Sequence, residues 1–262
     1  MPPDMPRSND TVRVAFDREC SIGDVNHSRV VVAEGPALAR ATAAWLVATI
    51  RQAILQRGCC AVGLAGGVTS EPIYGELATP SLAQDIDWTR VDVYFGDERA
   101  VPPHHPDSSY RMVRERLLAR VPIPATRVHR MEAERPDLDL AAAEYDRALP
   151  PRLDVLLLGM GPDGHTASLF PRSPALAERE RRVVPVHSPK PPPVRLTITP
   201  PVIAAAWSVA VVAVGEAKAP VTARALAGPF APRDVPAQLA RHGTWFLDPR
   251  AAALLAPRPE AR

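Results

Sequence analysis

Leu153-Asp-Val-Leu-Leu-Leu-Gly-Met-Gly-Pro-Asp-Gly-His-Thr-Ala-Ser-Leu-Phe-Pro171 decides how the rest of the chain is read. Val155 to Leu158 form a continuous apolar run, which suits a strand buried on both faces, as in the middle of a parallel sheet. Gly159, Gly161, Pro162 and Gly164 then end the run, because no regular element tolerates such a cluster. The resulting sharp turn carries Asp163 and His165. In an open α/β sheet, ligands bind outside the carboxyl ends of the strands, so this carboxylate and imidazole stand where chemistry is usually done. Thr166 and Ser168 follow, with hydroxyls and backbone N–H groups at an expected helix start. A plainer reading is available for the same residues: a strand-to-helix connection with Asp163 or Thr166 as N-cap and His165 on the surface.

Upstream, Cys59-Cys-Ala-Val-Gly-Leu-Ala-Gly-Gly-Val-Thr-Ser-Glu-Pro72 repeats the pattern. An apolar strand runs into Gly66-Gly67, Thr69 and Ser70, with a helix beginning near Pro72. Two glycines allow close backbone approach, and free N–H groups with hydroxyls at a helix start make an anion site. Gly-Gly between strand and helix is also common as nothing more than a tight turn. Val91 to Arg99 is a further strand ending in charge, at Asp97-Glu98-Arg99. Downstream, Ser188-Pro-Lys-Pro-Pro-Pro193 reads as a stiff extended segment that delivers Arg195. Arginine suits a phosphate because its guanidinium forks onto two oxygens. Trp207 to Gly215 reads as an interior strand ending in Gly215-Glu-Ala-Lys218 and a helix that reaches Leu226. A lysine in a first helical turn opposes the helix dipole and calls for an anion.

The remaining segments fill in the alternation. Thr11 to Phe16 and Arg29 to Ala33 read as short strands, paired at an edge. Pro36 to Arg57 has Leu38, Ala41, Trp45, Ala48 and Ile50 at roughly helical spacing, with Pro36 in a first turn and Gly58 past the end, and predicts a long amphipathic helix. Ser108 to Leu118 and Asp139 to Leu149 are further helices, the first capped by Asp107 or Ser108. Val183 to Val186 and Thr244 to Leu247 are strands, and Pro249 to Leu255 a closing helix. Arg179, Arg181 and Arg182 read as a solvated helix end. Strands alternate with helices and the polar clusters fall on strand-to-helix loops, so the fold class is α/β, a mostly parallel twisted sheet flanked by helices.

Five ordered segments resemble the 6-phosphogluconolactonase family. The long stretch resembles the family's Gly-Met-Gly-x-Asp-Gly-His-Thr-Ala-Ser-Leu-Phe-Pro signature. Gly66 to Ser70 resembles its Gly-Gly-Ser-Thr-Pro loop, with Val68 in place of Ser and Ser70 in place of Pro. Asp97-Glu-Arg99 with Asp107-Ser-Ser-Tyr110, the Pro-x-x-Arg-x-Thr segment at Arg195, and Gly-x-x-Lys at Lys218 complete the series. The resemblance implies a single three-layer domain over residues 11–255, of the kind shared with glucosamine-6-phosphate deaminases. Residues 1–10 and 256–262 are expected to be disordered. It implies hydrolysis of 6-phospho-D-glucono-1,5-lactone, with His165 as general base and Asp163 orienting it or the water. Gly66, Gly67, Thr69, Asp97, Arg99, Gly164, Arg195 and Lys218 would bind the substrate and its phosphate, and N–H groups around Gly161 to Gly164 would meet the oxyanion. Two alternatives are carried. A sugar-phosphate deaminase or isomerase would need the Asn-Glu-Pro that the deaminases place after Asp-Gly-His, where this chain has Leu169-Phe170-Pro171. A non-catalytic sugar-phosphate sensor usually carries a DNA-binding helix-turn-helix segment, and only about 35 residues precede the first expected helix here.

Composition narrows the class. The 262 residues are 46% hydrophobic and 23% charged with a net charge of +2, as expected for one globular domain. The 31 Lys and Arg residues are spread along the chain, so no nucleic-acid partner is expected. Three cysteines make no disulfide framework, and Cys59 and Cys60 are expected to be buried free thiols. The polar first ten residues lack a signal peptide's apolar core and no run is long enough to span a membrane, so a cytoplasmic protein with no membrane partner is expected. No cofactor motif is present, and the seven histidines, including His104-His105, show no helical pair with an acid, so neither cofactor nor metal is expected. A monomer or weak homodimer acting on a small phosphosugar lactone is the expected working form.

Overall fold

Val155, Leu156, Leu157 and Leu158 are buried on both faces, in the middle of the main sheet. The computed structural model describes residues 21–25 and 28–255. Its strands in chain order are β1 (Ser21–Val25), β2 (Ser28–Val32), β3 (Cys60–Leu64), β4 (Val91–Phe95), β5 (Asp97–Arg99), β6 (Val155–Gly159), β7 (Val183–His187), β8 (Val194–Ile198), β9 (Ser208–Ala213) and β10 (Thr244–Leu247). Seven of them form one sheet in the order β1-β2-β10-β9-β6-β3-β4. Only β1, antiparallel to β2, breaks its parallel sense. Buried strands of this kind read as unbroken apolar runs because helices cover both faces. The other three form a small antiparallel sheet, β5-β8-β7.

The α/β reading therefore holds, with two refinements. Val91 to Arg99 is not one strand: Gly96 divides β4 in the large sheet from β5 in the small one. The helix Gly35–Arg57 is not amphipathic, since Leu38, Ala39, Ala41, Thr42, Ala43, Trp45, Leu46, Val47, Thr49, Ile50 and Ala53 are all buried. It is covered by the helix Glu71–Leu77 as well as by the sheet, and a helix enclosed on most sides has no polar stripe to display.

Other expectations are corrected. Cys60 is buried in β3, but Cys59 is exposed just before it. Ser188 to Pro193 is not extended: Ser188 N–H donates to Pro193 O at 2.6 Å, closing a hairpin between antiparallel β7 and β8. Arg182 is no solvated arginine, because its guanidinium donates to Asp146 Oδ1 at 2.7 Å and to Pro150 O at 2.7 Å. The closing helix ends at Ala252. The expected strand at residues 11–16 and both expected disordered ends lie outside the described residues. Among the described residues, no helix is long and apolar enough to cross a membrane.

Asp154, just ahead of β6, ties three elements at the opposite end of the sheet from the glycine turn. Its carboxylate accepts from Arg57 Nε at 2.7 Å and from Ala61 N at 2.7 Å. Truncation would leave the Ala61 N–H without its acceptor and the Arg57 charge without its partner. Asp154→Ala is expected to cost about 2 kcal/mol, read as a lowered urea midpoint with unchanged slope; an unchanged midpoint would show that water replaces the carboxylate.

Candidate functional site

From β3 the chain moves outward to β4, and from β6 it moves the other way to β9, so the strand order reverses between β3 and β6. The crevice at such a reversal is where open α/β sheets bind ligands. The segments leaving these two strands line a cavity of about 190 Å³, completed by Asp97, Arg99, Arg195 and Lys218. Wider grooves run along residues 170–189 and between residues 110 and 148. In the second, His129 is taken up by Asp92 at 2.9 Å and by the Tyr94 ring, while the first is lined by the exposed His187, which has no carboxylate beside it among the described residues.

Asp163 and His165 form one unit at the cavity edge, with Nδ1 of His165 2.5 Å from Oδ1 of Asp163. Burial alone would raise the Asp163 pKa. The hydrogen bond and charge of His165, with the charge of Lys190, outweigh it and hold this carboxyl well below its usual range. An ionised carboxylate can only accept, so Nδ1 carries the proton and a neutral ring presents its lone pair on Nε2. Nε2 has no hydrogen-bond partner among the described residues, and the ring lies against Phe170 at 4.7 Å. The predicted helix after His165 is absent. The chain instead makes a turn bridged between Thr166 and Leu169. Thr166 Oγ1 donates back to Gly159 O at 2.9 Å, and Ser168 Oγ donates to Asp97 of the small sheet at 2.6 Å, so both hydroxyls are occupied in holding the loop rather than in capping a helix.

The N–H groups expected to meet an oxyanion are likewise used within the turn. Gly161 N–H donates to His165 O at 2.9 Å and Gly164 N–H to Gly161 O at 3.0 Å. Gly164 is not among the residues lining the cavity. A Cβ there would lie 2.8 Å from Val221 Cγ2 and 3.2 Å from Val235 Cγ1, so the position serves the packing of the turn.

The Gly66 to Ser70 loop has the opposite character. Ser70 N–H closes it onto Gly67 O at 3.1 Å, while the N–H groups of Gly67, Val68 and Thr69 donate to no acceptor among the described residues. Gly67 has φ +92°, open to glycine, and lines the cavity with this run of amides. Thr69 lines the same cavity. Val68 is 83% exposed, so its replacement of a serine removes a hydroxyl without filling the site. The hydroxyl gained at Ser70 is buried beneath the loop, 3.5 Å from Gly66 O.

Three cations face these amides. Arg99 donates to Asp107 O through Nη1 at 2.6 Å, while its buried Nε has no partner. Burial pushes the Lys218 pKa down, against the pull of Asp248, and Lys190 adds to the depression. Arg195 is buried, and most of its donors are committed: Nε to Pro192 O at 3.2 Å, Nη2 to Lys190 O and Pro191 O at 3.4 Å, and Nη1 to Ser168 Oγ at 3.4 Å. A guanidinium spent in this way cannot also fork onto two phosphate oxygens. Asp97 is buried beside it and accepts from Ser168 Oγ at 2.6 Å. Sequence reasoning passed over Glu98, whose carboxylate takes Ser109 N at 2.7 Å, Tyr110 N at 2.8 Å and Ser108 Oγ at 2.9 Å, fixing segment 108–110 against β5. Its position between two singled-out neighbours was the available signal. It also passed over Lys190, 3.5 Å from Asp163 Oδ1.

Along most of its length the chain is similar to known proteins. Residues 33–247 match the family model described as glucosamine-6-phosphate isomerases/6-phosphogluconolactonase. A 6-phosphogluconolactonase of Streptomyces coelicolor is 40% identical, over 83% of this chain and 90% of that protein. The Homo sapiens 6-phosphogluconolactonase is 41% identical, over 80% of this chain and 90% of its own length. The structure of 6-phosphogluconolactonase from Trypanosoma brucei superposes with TM-score 0.76 at 30% identity, covering 90% of this chain and all (100%) of that one. A monomeric glucosamine-6-phosphate deaminase shares the fold, with TM-score 0.76 at 21% identity.

Proposed function

The chain belongs to the 6-phosphogluconolactonase family, and from that premise we propose that it hydrolyses 6-phospho-D-glucono-1,5-lactone to 6-phosphogluconate with His165 as general base. The observation that carries the reading is the Asp163–His165 pair, its Nε2 unpartnered, at the edge of a cavity lined by free amides and cations. Water bound at Nε2 gives up a proton to the imidazole as its oxygen attacks the lactone carbonyl carbon. Asp163 holds the imidazolium that forms. When the tetrahedral intermediate collapses, the ring C–O bond breaks and the imidazolium returns the proton to the departing ring oxygen. An ester already has a reasonable leaving group, so a positioned base and water supply most of what is needed.

The phosphate is placed at the Gly67, Val68 and Thr69 amides, with Lys218 and the unpaired Nε of Arg99 as charged donors. Arg195 contributes charge and holds the neighbouring hairpin tip. The test is a rate comparison. Purified protein is expected to hydrolyse the 6-phospholactone far faster than unphosphorylated gluconolactone. Lys218→Ala should weaken product binding by about 1.5–3 kcal/mol, measured by calorimetry, with little loss of stability. Equal rates on both lactones would remove the phosphate assignment, and no rate above the spontaneous one would remove the hydrolase reading.

A further inference from the structure

Lys190 sits at the tip of the β7–β8 hairpin, where no part of the proposed reaction uses it. Its placement is nevertheless built. The N–H of Lys190 donates to Ser188 Oγ at 3.0 Å, and Ser188 N–H closes the hairpin onto Pro193 O. The buried guanidinium of Arg195 then takes the carbonyls of Lys190, Pro191 and Pro192 together. Five contacts thus fix the backbone that carries one lysine, and its Nζ lies 3.5 Å from Asp163 Oδ1. That oxygen is the same one that holds Nδ1 of His165.

We propose that Lys190 is a positioning residue, which pins Asp163 against His165 and sets the imidazole's proton affinity from the hairpin tip. The proposal deepens the lactonase reading and rests on it only in taking His165 as the base. The physical argument is one of charge. An ionised Asp163 stabilises the imidazolium and so favours a ring that is already protonated, which cannot act as a base. A lysine sharing Oδ1 offsets part of that negative charge, keeping the ring neutral to lower pH while Nδ1 stays held. Other charges face the pair from each neighbouring element. Lys218 comes from the segment after β9, Arg195 from β8 behind the Phe170 ring, and Asp97 and Arg99 from β5 across the cavity. Arg172, two residues beyond Phe170, is exposed and paired with Asp234 at 3.0 Å. Of these, Lys190 alone is within salt-bridge distance of Asp163 among the described residues.

The experiment follows the His165 ring directly by NMR titration, its signals assigned by their loss in His165→Asn. Loss of a half-exposed cation next to the pair is expected to move the titration of His165 to higher pH by roughly 0.3–0.7 pH unit in Lys190→Met. Lys190→Arg should restore the wild-type midpoint, and 1 M salt should shrink the difference. The acid limb of kcat/KM should shift by the same amount. Lys190→Gln removes the same charge if the Met variant folds poorly. A titration of His165 in Lys190→Met that superimposes on wild type overturns the inference. So does an Arg variant that behaves like Met. Failure of the lactonase reading is separate, because it would appear as wild-type inactivity while the NMR midpoints still report on Lys190.

Discussion

Replacing His165 by asparagine is expected to lower kcat by about 10²–10⁴-fold, the loss typical of a missing general base. Asparagine can still donate toward Asp163, so the turn keeps a hydrogen bond where Nδ1 stood, but no group remains to accept a proton from water. Product affinity should persist, because the amides of Gly67 to Thr69 and the charge of Lys218 do not depend on the ring. The same assignment gives the sign of the pH dependence in the wild type. The base works only when neutral, so kcat/KM falls as pH is lowered through the titration of His165. Asp163 does not mirror this limb, since its carboxyl is held well below the usual range and stays ionised there. A folded His165→Asn enzyme with near-normal kcat would remove the imidazole from the mechanism. A rate loss that merely tracks a lower melting temperature would return His165 to a structural role.

The strands and their order along the chain were legible because both signals are local. Apolar runs such as Val155 to Leu158 and Val209 to Ala213 end at glycines, and the polar groups that follow lie on the carboxyl edge of a parallel sheet. The glycine turn after β3 was legible for the same reason, since Gly66, Gly67 and Thr69 are consecutive or nearly so. What the sequence hid is pairing at a distance. Nothing local says that Arg195 will be consumed by the carbonyls of Lys190, Pro191 and Pro192, or that Ser168 will bridge to Asp97, 71 positions away. The helix expected after His165 failed on a related point. Thr166 and Ser168 have the side chains of capping residues, but the small sheet claims Ser168 and Gly159 claims Thr166, and tertiary partners outweigh capping preference. The bonds that the Gly161 and Gly164 N–H groups make within the turn were hidden too, because a tight turn satisfies its own amides first.

The glycine of that turn gives the sharper test. Gly161 does not have a positive φ, so conformational freedom is not the reason a side chain is excluded. The reason is space: a Cβ there would lie 2.1 Å from Nδ1 and Cε1 of His165 and 2.6 Å from Asp163 Oδ1. No rotation of a flexible chain end relieves this contact, because the imidazole is itself held by Asp163 on one side and by Phe170 on the other. In Gly161→Ala the ring must leave its place. Displacement of a catalytic group by about 1 Å costs on the order of 10²-fold, so kcat should fall nearly as far as in His165→Asn, although every ionisable group of the site is still present. Gly67 supplies the contrast. A Cβ there meets nothing within 4 Å, and only its φ of +92° opposes a side chain. Gly67→Ala should therefore weaken phosphate binding or stability by about 1–2 kcal/mol through backbone strain, with the His165 NMR signals left in place. If Gly161→Ala retains wild-type kcat, the imidazole tolerates displacement, and the close fit over Gly161 serves only to fold the turn.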